Sequence, residues 1–211
     1  TAGSYTLTSG RIRLGEREIS GLKKYQIAKN GIARTYQNIR LFDQMTALEN
    51  LEVCYYPDDA PFAWKEVLWP PYAKARGSER REHCRRTLMK FDLLPWIDED
   101  AGSLPYGFQK TLGMAIALAA RPRLIMLDEP VAGLSAEETD HVRDTILKVR
   151  QRGITVVVID HNMRFIAGLC DRVVVINQGH KLADGTPREV LSNPLVVEAY
   201  LGKNNAIAVS S

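Results

Sequence analysis

The sequence predicts an α/β protein with a parallel sheet covered on both faces and a helical insertion ahead of it. Three observations carry this. The short apolar runs at 124–127 and 154–159 flank a helical stripe of Val142, Ile146 and Val149, and continuous apolar strands separated by helices mark a buried parallel sheet. The stretch 46–120 shows helical periodicity on both sides of an irregular segment. An apolar fraction of 45% with 25% charged residues over 211 residues suits one globular domain with a real core.

The elements follow in order. Residues 11–19 alternate around Gly15 and predict a short hairpin. A helix is expected from Ser20 to the Asn30-Gly31 punctuation. Residues 31–36 then read as a strand that breaks at Gln37-Asn38. Thr46 and Glu49 form a capping box for a helix over 47–55. Residues 57–77, rich in proline and carrying Trp64 and Trp69, read as an irregular surface segment. An amphipathic helix over 78–94 presents Cys84, Leu88, Phe91 and Leu94, and a second runs from Pro105 to Ala120 before Arg121-Pro122 stops it. Ser135 with Glu138 caps the next helix, residues 172–184 turn at Gln178-Gly179 as a hairpin, and Thr186 with Glu189 caps another helix with Pro187 in its first turn. A last helix spans Asn193-Pro194 to Gly202, and the tail beyond is disordered by composition.

Several function classes drop out. A net charge of +3 from 28 basic and 25 acidic residues is too balanced for a nucleic-acid partner. Only Arg80, Arg81, Arg85 and Arg86 cluster, at the spacing of a solvated helix face. Three scattered cysteines, Cys54, Cys84 and Cys170, read as reduced thiols of a cytoplasmic protein. The apolar runs are far too short to span a bilayer, so a membrane role must come through a partner.

The chemistry concentrates at Leu124-Ile125-Met126-Leu127-Asp128-Glu129-Pro130. A buried strand delivers two adjacent carboxylates to its C-terminal end, where α/β sheets bind ligands. Consecutive residues point apart, so Asp128 can hold Mg²⁺ while Glu129 faces an attacking water as general base. A polar strand exit would read the same way. The next strand ends in Asp160-His161, which places an imidazole where it can donate to phosphate oxygens. Gln37, at its own strand exit, is an uncharged donor and acceptor for Mg²⁺ or the lytic water. Pro105-Tyr106-Gly107-Phe108-Gln109 opens a helix whose N-terminal N–H groups and dipole attract an anion, and an ordinary loop-to-helix turn is the alternative.

In that order, Gln37, LPYGFQK, LIMLDEP, AGLS and the strand ending at His161 resemble the ABC ATPase family, as Q-loop, signature, Walker B, D-loop and switch histidine. The likeness runs to about residue 202. RTYQNIRLF, LPYG and NQGHKLADGTPREVLSNPLVVEAYLG further resemble the branched-chain amino-acid importers, specifically the first of their two ATP-binding subunits. The resemblance implies a P-loop NTPase fold with a helical subdomain. Residues 1–45 and 121–202 would form the ATPase core, 46–120 the helical subdomain with the signature, and 203–211 the tail. It also implies ATP and Mg²⁺ as ligands, with Gln37, Pro105, Tyr106, Gly107, Gln109 and Asp128 binding and Glu129 and His161 catalytic. The implied partners are permease subunits, a second ATP-binding subunit (identical or not) and, indirectly, an external solute-binding protein. The location would be peripheral, on the cytoplasmic face of the cell membrane.

The sequence departs from the family at one point that matters. No Gly-x-x-x-x-Gly-Lys-Ser/Thr loop lies within these residues, and Thr1–Gly10 resembles the segment just after it. The expectation is a fold lacking the N-terminal Walker A strand and loop, with unpaired sheet edges, instability and no ATPase activity of residues 1–211 alone. Pro105 replaces the usual signature serine, Gly113 and Ile116 stand for Glu and Arg, and Asp160 stands for Glu. Two rival functions fit the same residues: a non-catalytic truncated ABC module, and a soluble ABC ATPase not tied to a permease. The modest stretch between Gln37 and Leu104 leaves no room for the long coiled coil of the DNA-repair relatives.

Overall fold

A computed structural model describes residues 7–35, 41–55 and 70–201. The chain forms two compact units, Thr1–Ile159 and Asp160–Ser211.

The first unit opens with the hairpin of β1 (Arg13–Leu14) and β2 (Arg17–Glu18), which pair antiparallel around Gly15 at φ +60°. Helix α1 covers Lys24–Lys29, four residues later than Ser20 suggested. Ser20 is used elsewhere: its Oγ accepts from the Ile12 amide at 2.8 Å and ties the chain back to the hairpin. Gly31, at φ +82°, reverses the chain into β3 (Ile32–Arg34). Tyr36, Gln37 and Asn38 lie outside the described residues.

Helix α2 (Ala47–Cys54) starts on the expected box, with the Thr46 and Glu49 side chains each accepting the other's amide. Buried Asn50 accepts from the Phe42 amide and donates to the Phe42, Met45 and Thr46 carbonyls, which fixes the strand-to-helix connection against α2. Helix α3 (Pro70–Lys90) begins inside the stretch expected to be irregular and stops short of Leu94. Asp92, at φ +58°, breaks it, so Leu93 enters the core and Leu94 is left half-exposed. Short 3₁₀ turns at Leu94–Trp96 and Ala101–Ser103 lead to α4 (Tyr106–Ala119). Cys84, Leu88, Phe91, Leu93 and Leu112 are fully buried along α3, its exit and α4.

Strand β4 (Leu124–Asp128), helix α5 (Ala136–Gln151) and strand β5 (Thr155–Ile159) complete a parallel sheet in the order β3-β4-β5. The register pairs Ile32 with Leu124 and Leu124 with Thr155. Ile125 and Leu127 are buried on one face. On the other, Leu124 and Met126 join Ile19, Ile27 and Ile32 beneath α1. The expectation of a sheet covered on both faces fails at β5. Val157 and Ile159 continue that second face but are 37% and 50% exposed.

The second unit contains α6 (Met163–Leu169), which sequence reasoning did not single out, and the antiparallel hairpin β6 (Val173–Asn177) and β7 (His180–Gly185). Gln178 and Gly179, both at positive φ, make the predicted turn. Helices α7 (Pro187–Leu191) and α8 (Pro194–Leu201) follow, and Val175, Val190 and Val196 form the unit's core. Arg172 and Lys181 grip Asp184 and hold its carboxyl down to about 2. Residues 202–211 lie outside the described range.

Candidate active site

Strand β4 ends at Asp128, and its ladder continues one residue further, with the Glu129 amide donating to the Ile159 carbonyl at 2.8 Å. There the backbone turns over. Glu129 sits at φ +46°, a conformation that non-glycine residues seldom adopt. Pro130 explains part of it, since a following proline disfavours the ordinary helical region. The strand thus presents two neighbouring carboxylates with a sharp change of direction between them, at the sheet edge where ligands of α/β folds collect.

Asp128 is half-buried and ion-paired: Arg34 Nη2, on β3, donates to its Oδ2 at 2.8 Å. Arg34 pairs in register with Met126, and strand alternation puts Asp128 on the same face as Met126. Among the described residues no group of three or more His, Cys, Asp or Glu could cage a metal. One partly exposed carboxylate at a strand end would suit a cation brought in with a phosphate ligand. Mg²⁺ keeps several waters and takes only one or two carboxylates in such sites. The residues present fit that mode.

The signature segment lies at the start of α4. Pro105 occupies the N-cap and Tyr106 is 42% exposed. Tyr106 also lies beside the turn after β4, where a Cβ on Gly133 would stand 3.8 Å from its ring. Gly107, in contrast, is buried, and its amide donates to Glu138 Oε1 on α5 at 3.0 Å. The other oxygen of Glu138 accepts from the Ser135 amide at 3.0 Å, so one carboxylate caps two helices. Those two amides, Ser135 foremost, hold the Glu138 carboxyl below its ordinary value. A Cβ at position 107 would come within 3.0 Å of the Glu138 Cβ. Glycine here permits close packing of α4 on α5, besides any part it has in anion binding. Gln109 turns back to donate to the Leu104 carbonyl at 2.8 Å.

His161 belongs to the second unit and is exposed just before α6. Its neighbour Asp160 accepts from the Asn162 amide through Oδ1 and leaves Oδ2 buried without a hydrogen-bond partner. Gln37 falls outside the described residues. Within the first unit, then, the fold joins Asp128 and Glu129, sets Tyr106 by Gly133, and turns Gly107 inward. Sequence reasoning missed Arg34 and the bridging role of Glu138. A lone cation inside the apolar strand Gly31-Ile32-Ala33-Arg34 was the signal for the first; the second had been read only as a cap.

Comparison with known proteins agrees with this architecture. Residues 1–132 match the ABC transporter family model, and residues 180–204 match that of the branched-chain amino acid ATP-binding cassette transporters. The chain belongs to the ABC transporter family, as an ATP-binding cassette. BraF of Pseudomonas aeruginosa, a high-affinity branched-chain amino acid transport ATP-binding protein, is 41% identical over 95% of this chain and 79% of its own length. LivG of Escherichia coli K12, with the same description, is 37% identical over the same shares. A lipopolysaccharide export ATP-binding protein, LptB of Acidithiobacillus ferridurans, is 33% identical over 92% of this chain and 74% of its own. Among solved structures, a nucleotide-free cassette of an ABC transporter superposes with a TM-score of 0.79 at 27% identity, covering 96% of this chain and 81% of that one. A cassette in its ADP conformation gives 0.78 at 27% identity, covering 95% and 80%.

Proposed function

We propose that this chain is the ATP-hydrolysing subunit of an importer for branched-chain amino acids, bound to the cytoplasmic face of a membrane beneath a permease. The observation that carries the chemistry is the Asp128-Glu129 pair at the end of β4, with Glu129 on a left-handed backbone. The choice of solute rests on relatives: those named for branched-chain amino acids reach 41% identity, against 33% for the lipopolysaccharide exporter. The match of residues 180–204 to the branched-chain family model points the same way. Among the described residues no helix is long and apolar enough to cross a membrane, so the permease must supply the path.

In this reading Asp128 and Gln37 hold Mg²⁺, which when bound neutralises charge on the ATP phosphates. Glu129 takes a proton from the attacking water as its oxygen approaches the γ-phosphorus. His161 donates to the γ-phosphate oxygens as charge builds. Pro105, Tyr106, Gly107 and Gln109 form the helix start that meets the nucleotide of a second ATP-binding subunit. Because the Gly107 amide is engaged by Glu138, this contact falls chiefly to the exposed Pro105-Tyr106 end. Gln37 and the residues after it face the permease, and an external solute-binding protein delivers the cargo.

The test uses the polypeptide as expressed from its own gene. Glu129→Gln should bind ATP as the parent does and lose turnover by about a hundredfold or more. Wild-type hydrolysis by that variant would remove Glu129 as the base. Deleting the gene should abolish high-affinity leucine uptake, and undiminished uptake would remove the proposed cargo. Residues 1–211 alone, which contain no Walker A loop, should show no ATPase activity above background.

A further inference from the structure

Arg34 is the last residue of β3, and its guanidinium reaches the carboxylate at the end of the neighbouring strand. Both side chains are about seven-tenths buried, at 29% and 27% exposure. A cation in such a place is costly to desolvate, so it stays where an anion repays it. Backbone pairing fixes the geometry: Arg34 stands opposite Met126, and the Thr35 amide donates to the Met126 carbonyl at 2.9 Å. The guanidinium therefore approaches Asp128 from a rigid ladder and not from a loop.

We propose that Arg34 is a positioning residue of the nucleotide site, a built-in cation that occupies and orients Asp128 until a divalent metal takes that carboxylate. The inference rests on the reading of Asp128 as the metal-binding carboxylate. Two cations on one carboxylate repel, so metal entry must weaken the Arg34 contact, and Arg34 in turn sets how tightly a bare metal ion binds. Specificity for metal brought with nucleotide follows: a free ion must displace the guanidinium unaided, whereas a nucleotide-bound ion arrives with phosphate oxygens that share its charge.

The measurement is Mn²⁺ binding without nucleotide, by electron paramagnetic resonance of the free ion, on the wild type, Arg34→Met, Arg34→Lys, Asp128→Asn and the Arg34→Met/Asp128→Asn double variant. Thermal melts confirm that each is folded, and Arg34→Lys carries the test if Arg34→Met is not. Arg34→Met should tighten Mn²⁺ by about five- to tenfold, the Coulomb effect of removing one charge near a divalent ion at a wet surface. Arg34→Lys should stay within about twofold of wild type, because the charge is kept. In the Asp128→Asn background the Arg34→Met gain should vanish, as a double-mutant cycle requires of a direct pair. If Asp128→Asn weakens Mn²⁺ but Arg34→Met does not tighten it, the metal role stands and this inference falls. If the unfolded Arg34→Met leaves only Arg34→Lys, a change beyond about twofold overturns it too. If Asp128→Asn leaves Mn²⁺ binding untouched, or the wild type binds none, the metal role fails first and takes the inference with it.

Discussion

Glu129 carries its carboxylate on a backbone that L-residues avoid, at a cost of about 1 kcal/mol. Strain of that kind persists where the surroundings over-determine it, here the hydrogen bond from the Glu129 amide to the Ile159 carbonyl on one side and Pro130 on the other. Asparagine tolerates this conformation better than glutamate. Glu129→Asn should therefore melt higher, by up to about 1 kcal/mol in chemical denaturation, while giving no hydrolysis. A variant both less stable and fully active would contradict the reading. The acidic pair itself was legible as Asp-Glu-Pro after an apolar strand. The left-handed backbone at Glu129 was not, because φ depends on the ladder to β5. Gly107 teaches the converse. A glycine at a helix start reads as an anion cradle, yet this one lies packed against Glu138, a neighbour 31 positions away that no local pattern announces.

Helices α3 and α5 show what periodicity delivers and where it stops. Cys84, Leu88 and Phe91 are fully buried as their spacing predicted. Leu88→Ala should cost about 2–5 kcal/mol in urea unfolding, as for other fully buried leucines. Leu94 was misplaced by one residue, since the left-handed Asp92 rotates the chain before the core position is reached. On α5, His141 packs against Phe108 with ring centroids 4.6 Å apart and the planes tilted, and Phe108 lies 5.3 Å from Trp96. Its Nε2 is buried without a hydrogen-bond partner. Burial holds its pKa below the ordinary 6.5, and the flanking Lys148 adds to this against the opposing pull of Asp92 and Asp144. His83 is lowered too, again chiefly by burial. The folded state thus resists protonation that the unfolded chain accepts, so stability is steady above pH 6.5 and falls as pH drops below it. Removing the imidazole in His141→Phe should flatten that slope; an unchanged slope would show that the site is solvated in solution.

The chain falls into two units directly after β5. Among the described residues of the first unit, β5 is one of the two outer strands of the parallel sheet. The Thr155 amide and Ile159 carbonyl point toward β4, so by alternation the backbone groups of Val156 and Val158 point away from it. No described strand meets them. With Val157 and Ile159 exposed on the adjoining face, this edge combines backbone groups unpaired among the described residues, β-branched side chains and no charge, the combination that drives sheet-to-sheet association. Ile159→Lys should lower self-association of residues 1–211 in sedimentation velocity with little loss of secondary structure, since charge on an exposed edge blocks pairing. Equal aggregation by the variant would place the sticky surface elsewhere.

The sequence by itself determined the α/β class, the order of nearly every element, the family and the carboxylate pair. These rest on local patterns: apolar runs, capping boxes at Thr46, Ser135 and Thr186, and the Gln178-Gly179 turn. Tertiary structure alone decided that Arg34 holds Asp128, that Glu138 ties α4 to α5, and that Val157 and Ile159 of β5 stay exposed. Each is a relation between segments remote in the chain. Charge pairing and close packing act through space, and sequence spacing records them only where neighbours in the chain are also neighbours in the fold.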